Sequence, residues 1–162
     1  STKDIGNSVI YIDTVSEYLT PEAVELFSIT IITANTVLLS YKMTIGRLAL
    51  TTEKRLSNKA IAHFKHKENS FLFPEFLYLF LKTYSWQQLG STSSIVEAIN
   101  SQMIKEIEMQ VPDENKLNKF KKTIDPYFHK IKSNAKQIKT LTQLRDTLLP
   151  KLMNGEVRIN TL

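Results

Sequence analysis

From Leu117 onward the apolar residues Leu117, Phe120, Ile124, Tyr127, Ile131, Ile138, Leu141, Leu148 and Leu152 recur at alternating steps of three and four, or at multiples of seven. That spacing is a heptad seam, and it predicts one long helix whose apolar stripe meets another helix. Asn134 and Arg145 also fall in the seam. Polar residues there set register or orientation at some cost in stability, so the stripe reads as matched to one specific partner. Pro126 interrupts the pattern after Asp125. The helix either kinks there or ends and restarts with Asp125 as cap, and a kink is the expectation. Gly155 stands where a left-handed terminus favours glycine, and Lys151 suits the negative end of the dipole. The helix should therefore start within Asp113–Leu117 and end at Met153 or Asn154, a reach on the order of 60 Å if straight.

Upstream the pattern changes to short apolar runs punctuated by turn residues. Val9–Asp13 reads as a strand by its β-branched and aromatic content. Thr20, Pro21 and Glu22 supply a cap, a first-turn proline and a first-turn acid for a short helix to Phe27. Ile29–Ile32, Val37–Ser40 and Arg47–Thr51 read as strands, with a loop from Tyr41 to Gly46. Ala60–Phe64 is a further strand, entered from Lys54–Asn58. Pro74 opens a helix in which Phe73, Leu77, Phe80 and Tyr84 share one face, widened by Phe76 and Leu81, and this stripe reads as core. Gly90–Ser94 is a polar turn cluster. Asn100 or Ser101 caps one helical turn through Lys105, and Glu108–Val111 reads as a closing strand before Pro112. The expected class is α/β (α+β). A mixed, curved sheet with short helices occupies residues 1–112, and a long coiled-coil-type helix with a short extended tail occupies 113–162.

Composition narrows the chemistry. With 42% hydrophobic and 23% charged residues in 162, the chain has the profile of a globular protein with one ordinary core. Cysteine is absent and the three histidines have no spaced carboxylate partner, so neither a disulfide nor a metal site is expected. No apolar run approaches the roughly 20 residues of a membrane span, and the opening lacks signal-peptide architecture; a cytoplasmic protein is the expectation. The chain lacks a glycine-rich phosphate loop, a dinucleotide fingerprint, a nucleophile elbow and the zinc-protease His-Glu-x-x-His pattern, so no catalytic residue is assigned. Charge is uneven: residues 1–41 carry a net −4, whereas residues 42–67 carry seven bases against Glu53 alone, a net +6. Residues 113–162 also net +6. Charge runs are usually solvated faces, but a local basic stripe is also what a polyanion requires.

Two stretches carry a family resemblance. Leu141-Thr-Gln-Leu-Arg-Asp-Thr-Leu-Leu-Pro-Lys-Leu-Met-Asn-Gly-Glu-Val-Arg-Ile159 resembles the C-terminal helical segment of the specificity subunit of type I DNA restriction-modification enzymes. Leu38-Leu-Ser-Tyr-Lys-Met-Thr-Ile-Gly-Arg-Leu-Ala-Leu50 resembles a loop and strand of the target recognition domains of the same family. Ser57–Ala62, Phe76–Tyr78 and Gly90–Thr92 continue the likeness in order. Met43 and Lys59 depart from it where glycine and glutamine are common, and Pro126 falls in a helix usually continuous.

The resemblance implies one recognition domain, with its opening expected to be missing, followed by one helical spacer. It implies sequence-specific recognition of double-stranded DNA without catalysis by this chain. S-adenosylmethionine would come with modification (methyltransferase) subunits, and ATP and magnesium with the restriction subunit. Reading base pairs needs donors on shaped loops. Lys42, Arg47, Lys54, Arg55 and Lys59, with Thr44, Asn58, Ser91 and Thr92, are the candidate DNA-binding residues. Arg47 is equally a strand-end surface residue, Asn58 a turn former and Thr92 a helix terminator. Ile131, Asn134, Ile138, Leu141, Arg145, Leu148 and Leu152 are the expected helix–helix interface, used alone for a homodimer about a two-fold axis. The alternative is a non-enzymatic coiled-coil interaction module with an incidental basic surface.

Overall fold

The computed structural model describes residues 1–42, 44–67, 70–86 and 99–157. Its central strand, β3 (Thr36–Ser40), is buried at all five positions. That explains why its sequence is a continuous apolar run instead of an alternating one. It pairs antiparallel with β4 (Leu48–Thr51), Leu38 opposite Ala49, and antiparallel with β6 (Ile61–Lys65), Ser40 opposite Ile61. β1 (Tyr11–Ile12) adds to β4 in parallel, Tyr11 opposite Leu50. The order β1-β4-β3-β6 is a mixed sheet, as expected. A two-stranded antiparallel pair, β2 (Ile31–Ile32) with β5 (Arg55–Leu56), accompanies it.

The period-two geometry of strands divides the core between the two faces. Leu38, Ala49, Ile12 and Ile61 share one face, and α1 (Thr2–Asn7) delivers Ile5 to it alongside Ile32. α3 (Pro74–Thr83) packs on β3 and β4 and belongs to the other face, where Tyr11 lies within electrostatic reach of Glu75. Burial pushes the Tyr11 hydroxyl up to about 12, helped by Glu75 and Asp125. The face α3 buries most deeply is Tyr78 and Leu81, while Leu77, Phe80 and Tyr84 are only half-buried. Of the stripe expected as core, Phe73 and Leu81 are buried, and its other members form a half-buried flank. Phe73 and Phe76 instead meet Phe120, with ring centroids 6.5 and 6.1 Å away.

Local signals explain most element ends. α2 (Pro21–Leu26) starts at Thr20, whose hydroxyl accepts from the Ala23 N–H. α4 (Ser101–Lys105) starts at Asn100, which accepts from two backbone N–H groups. α1 was not anticipated, although Ser1 and Asp4 have the spacing of a capping box and form one. Glu108–Val111, expected as a strand, forms no strand pairing among the described residues and connects α4 to the last helix without regular structure. That helix, α5, is assigned from Glu114 to Met153 without a break at Pro126 or Pro150. A proline removes one bond from the ladder, and the turns on both sides carry the helix across it. Leu117 is 1% exposed, and the first compact unit is Ser1–Asp125.

The second unit begins at Pro126. Within it Ile138 and Leu141 are 65% and 63% exposed, so the central part of the stripe lies bare on the chain by itself. α5 closes with Gly155 at φ 74°, the Gly155 N–H donating to the Leu152 carbonyl and the Glu156 N–H to that of Lys151. α2 closes by the same double bond pattern, Ser28 to Glu25 and Ile29 to Val24, but with Ser28 at φ 48°. A Cβ is disfavoured in this left-handed conformation.

Arg55 ties the two sheets together. Its Nη2 donates to the Ile12 carbonyl at 3.3 Å and the Asp13 carbonyl at 3.1 Å and pairs with Glu53 at 2.7 Å, with its side chain only 12% exposed.

Two outcomes follow for stability. Ser28→Gly should raise the unfolding free energy by about 1 kcal/mol by relieving the left-handed strain, read as a higher urea midpoint at unchanged slope. Arg55→Ala should lower it by about 2 to 3 kcal/mol, because two carbonyls lose a charged donor, whereas Lys59→Ala should stay within about 0.5 kcal/mol.

Candidate nucleic-acid interface

The antiparallel register sends two connections out at one end of the sheet. Ser40, the last residue of β3, sits opposite Ile61, the first of β6. The β3–β4 connection and the turn before β6 therefore emerge side by side. The β3–β4 connection is closed by the Ser40 N–H on the Arg47 carbonyl at 2.9 Å and the Gly46 N–H on the Ser40 carbonyl at 3.1 Å. Tyr41 joins it to the neighbouring turn, its N–H donating to the Ala60 carbonyl at 3.1 Å and its hydroxyl to the Lys59 carbonyl at 2.9 Å. These bonds set a rigid base under an exposed rim.

Lys42, Arg47, Asn58 and Lys59 are exposed on that rim, and Thr44 is half-buried within it. The Asn58 side-chain oxygen accepts from the Ala60 N–H at 3.0 Å, which makes Asn58 the turn former weighed as an alternative. Among the described residues its amide nitrogen has no hydrogen-bond partner. Arg47 Nη1 donates to the Thr2 carbonyl at 3.3 Å and its guanidinium lies against Gly6, so it leans over α1 while staying exposed. Ser57 and the His63 Nε2 are hydrogen-bonded to each other, pinning the turn to β6. Burial, reinforced by Lys65, holds the His63 imidazole below its ordinary pKa, so it is neutral at pH 7. Among the described residues no carboxylate is hydrogen-bonded to His63, and the pair is a structural tie.

The basic stripe of the sequence does not form one stripe in space. β4 runs away from the rim, so Glu53, Lys54 and Arg55 follow its far end, about 10 Å off for a four-residue strand. Lys65 sits at that far end too, opposite Thr36. Lys54 is exposed there. Arg55, one of the candidate DNA-binding residues, has a largely buried side chain engaged by the Ile12 and Asp13 carbonyls and by Glu53. Ser91 and Thr92, with the rest of the Gly90–Ser94 cluster, lie outside the described residues. Tyr41 and His63 were not singled out as supports; Tyr41 had a signal, a tyrosine directly after a buried strand, whose hydroxyl must find a partner.

On α5, Asn134, Ile138, Leu141, Arg145 and Leu148 are exposed, and Ile131 and Leu152 are half-buried. Arg145 pairs with its neighbour Asp146 at 2.7 Å and does not cross the stripe. Among the described residues no cluster of histidines and carboxylates could hold a metal ion, and no helix is long and apolar enough to cross a membrane.

Comparison with known proteins places this geometry. Residues 2–143 match the family described as the type I restriction modification DNA specificity domain. The chain is 31% identical over 130 residues to the type I restriction enzyme HindI specificity subunit of Haemophilus influenzae, covering 78% of this chain and 28% of that protein. It is 46% identical over 52 residues to the MjaIX specificity subunit of Methanocaldococcus jannaschii, 32% of this chain and 12% of that protein. The chain thus spans about a quarter or less of the length of these relatives. With the family match running from α1 well into α5, the chain belongs to the type I restriction-modification DNA specificity family.

Proposed function

We propose that this chain recognises double-stranded DNA in a sequence-specific way, as a target-recognition portion of a specificity subunit. The observation that carries the reading is the rim at one sheet end. It combines the point charges of Lys42, Arg47 and Lys59 with the neutral donors of Thr44 and Asn58, on connections braced by backbone bonds. Charges anchor phosphates without regard to sequence, while neutral donors on a fixed loop discriminate base edges. Family membership supports the same reading. Methylation and cleavage then belong to modification and restriction subunits, which bring S-adenosylmethionine, ATP and magnesium, and this chain acts by positioning.

Reversing Lys42 and Lys59 to Glu should weaken binding to every duplex and reduce the slope of log affinity against log salt by about 2, since each phosphate contact contributes about 0.9. Reversing Lys54 alone, at the far end of β4, should change the slope by much less. Binding of the double variant equal to wild type at all salt concentrations would move DNA off this rim.

The bare stripe on α5 supports a second part of the reading: helix–helix pairing through Ile131, Ile138, Leu141, Leu148 and Leu152, with Asn134 and Arg145 setting register. For this chain alone the partner is a second copy. Ile138→Asp with Leu141→Asp should convert a dimer to a monomer in sedimentation at micromolar concentration, helix content by circular dichroism being retained. A wild-type chain already monomeric there rules out self-pairing and leaves the stripe to another helix.

A further inference from the structure

The exit of the β3–β4 connection is gripped from outside the sheet by an aromatic chain. Gly46 has φ 80°, and a Cβ placed on it would stand 2.8 Å from the Trp86 Cδ1 and 3.1 Å from its Nε1. The pyrrole edge of the indole therefore rests directly on the glycine, and two independent reasons, conformation and space, require glycine at this position. Trp86 is held in turn by Tyr84, ring centroids 4.8 Å apart, and Tyr84 by Phe80, 5.9 Å apart. Phe80 belongs to α3, which packs on β3 and β4. The loop base is thus fixed on both flanks: Tyr41 bonds it to the Asn58–Ala60 turn, and the α3 aromatics close on Gly46.

We infer that Trp86 is a positioning residue for DNA reading, clamping the β3–β4 connection so that Lys42 and Thr44 meet the duplex in one geometry. The inference rests on the proposed DNA reading of that rim. Trp86 is half-buried, with its indole against Gly46 and Tyr84. A side chain that discriminates bases must be held to within about 0.5 Å by neighbours that are themselves locked. Glycine at the contact gives the connection no side chain of its own with which to do this, and the indole supplies the missing wall.

The test uses the complex assembled with its modification subunits and S-adenosylmethionine, with genomic DNA as the probe and methylated sites read by sequencing. Trp86→Ala should raise off-motif relative to on-motif methylation at least tenfold, with the salt slope of duplex binding unchanged. Trp86→Phe, which keeps a ring at Gly46, should restore most of the discrimination. A Trp86→Ala complex with lowered thermal midpoint but an unchanged motif ratio overturns the inference, because packing alone then accounts for the residue.

Should the alanine variant not fold, Trp86→Leu decides, since it keeps apolar bulk beside Gly46 without the flat indole edge. It should raise the off-motif ratio at least threefold with the salt slope unchanged, and a ratio equal to wild type overturns the clamp while leaving the DNA reading standing. Loss of the Lys42 and Lys59 salt effect removes the DNA reading, and the inference with it.

Discussion

The five residues of β3 are all buried, so each backbone N–H and C=O of that strand must be paired inside the protein. Two antiparallel neighbours do this along its length, and at its start the Thr36 N–H donates to the buried Thr51 hydroxyl at 3.0 Å, which itself donates to the Thr33 carbonyl at 2.8 Å. A slip of one residue would turn Leu38 and Ala49 away from Ile5 and Ile32 and leave these bonds unmade. The register is therefore unique. It is also what brings the β3–β4 connection and the Asn58–Ala60 turn to one end, and the exposed rim inherits its geometry from that constraint.

The cations divide according to what the backbone nearby needs. Arg55 reaches two strand-end carbonyls that would otherwise be poorly satisfied, and a planar guanidinium with several donors suits the task better than an ammonium. Lys42 and Lys59 have exposed side chains above backbone groups that are already paired. Among the described residues neither lysine forms an ion pair. Arg47 lies between these cases, exposed yet leaning on the Thr2 carbonyl.

The two units differ in how their apolar residues are satisfied. In the first, the stripe residue Leu117 of α5 is buried, and Phe120, though 38% exposed, meets the rings of Phe73 and Phe76. In the second, Ile138 and Leu141 are exposed, and an apolar stripe of this kind is what the proposed helix pairing would cover. The sequence period is continuous across both.

Periodicity, caps and turn residues were enough to locate β3, β4, β6, α2, α4 and α5 and the glycine terminus at Gly155, because each is decided by interactions within a few residues. The left-handed terminus at Ser28 carried no such mark, since the chain there follows the demands of Ile29 and Val24 rather than the preference of serine. β5 and the loss of the expected strand at Glu108–Val111 depended on whether a partner strand was present, which no local pattern encodes. The family likeness was legible in residues 141–159 and 38–50, but the basic stripe was not legible as a site. Hairpin connections alternate between sheet ends, so neighbours in sequence such as Lys54 and Lys59 are separated, while Lys42 and Lys59 are brought to the same rim. Likewise only tertiary packing set Arg55 on the Ile12 and Asp13 carbonyls and Trp86 on Gly46, because both contacts join residues about forty apart whose meeting depends on the register of β3.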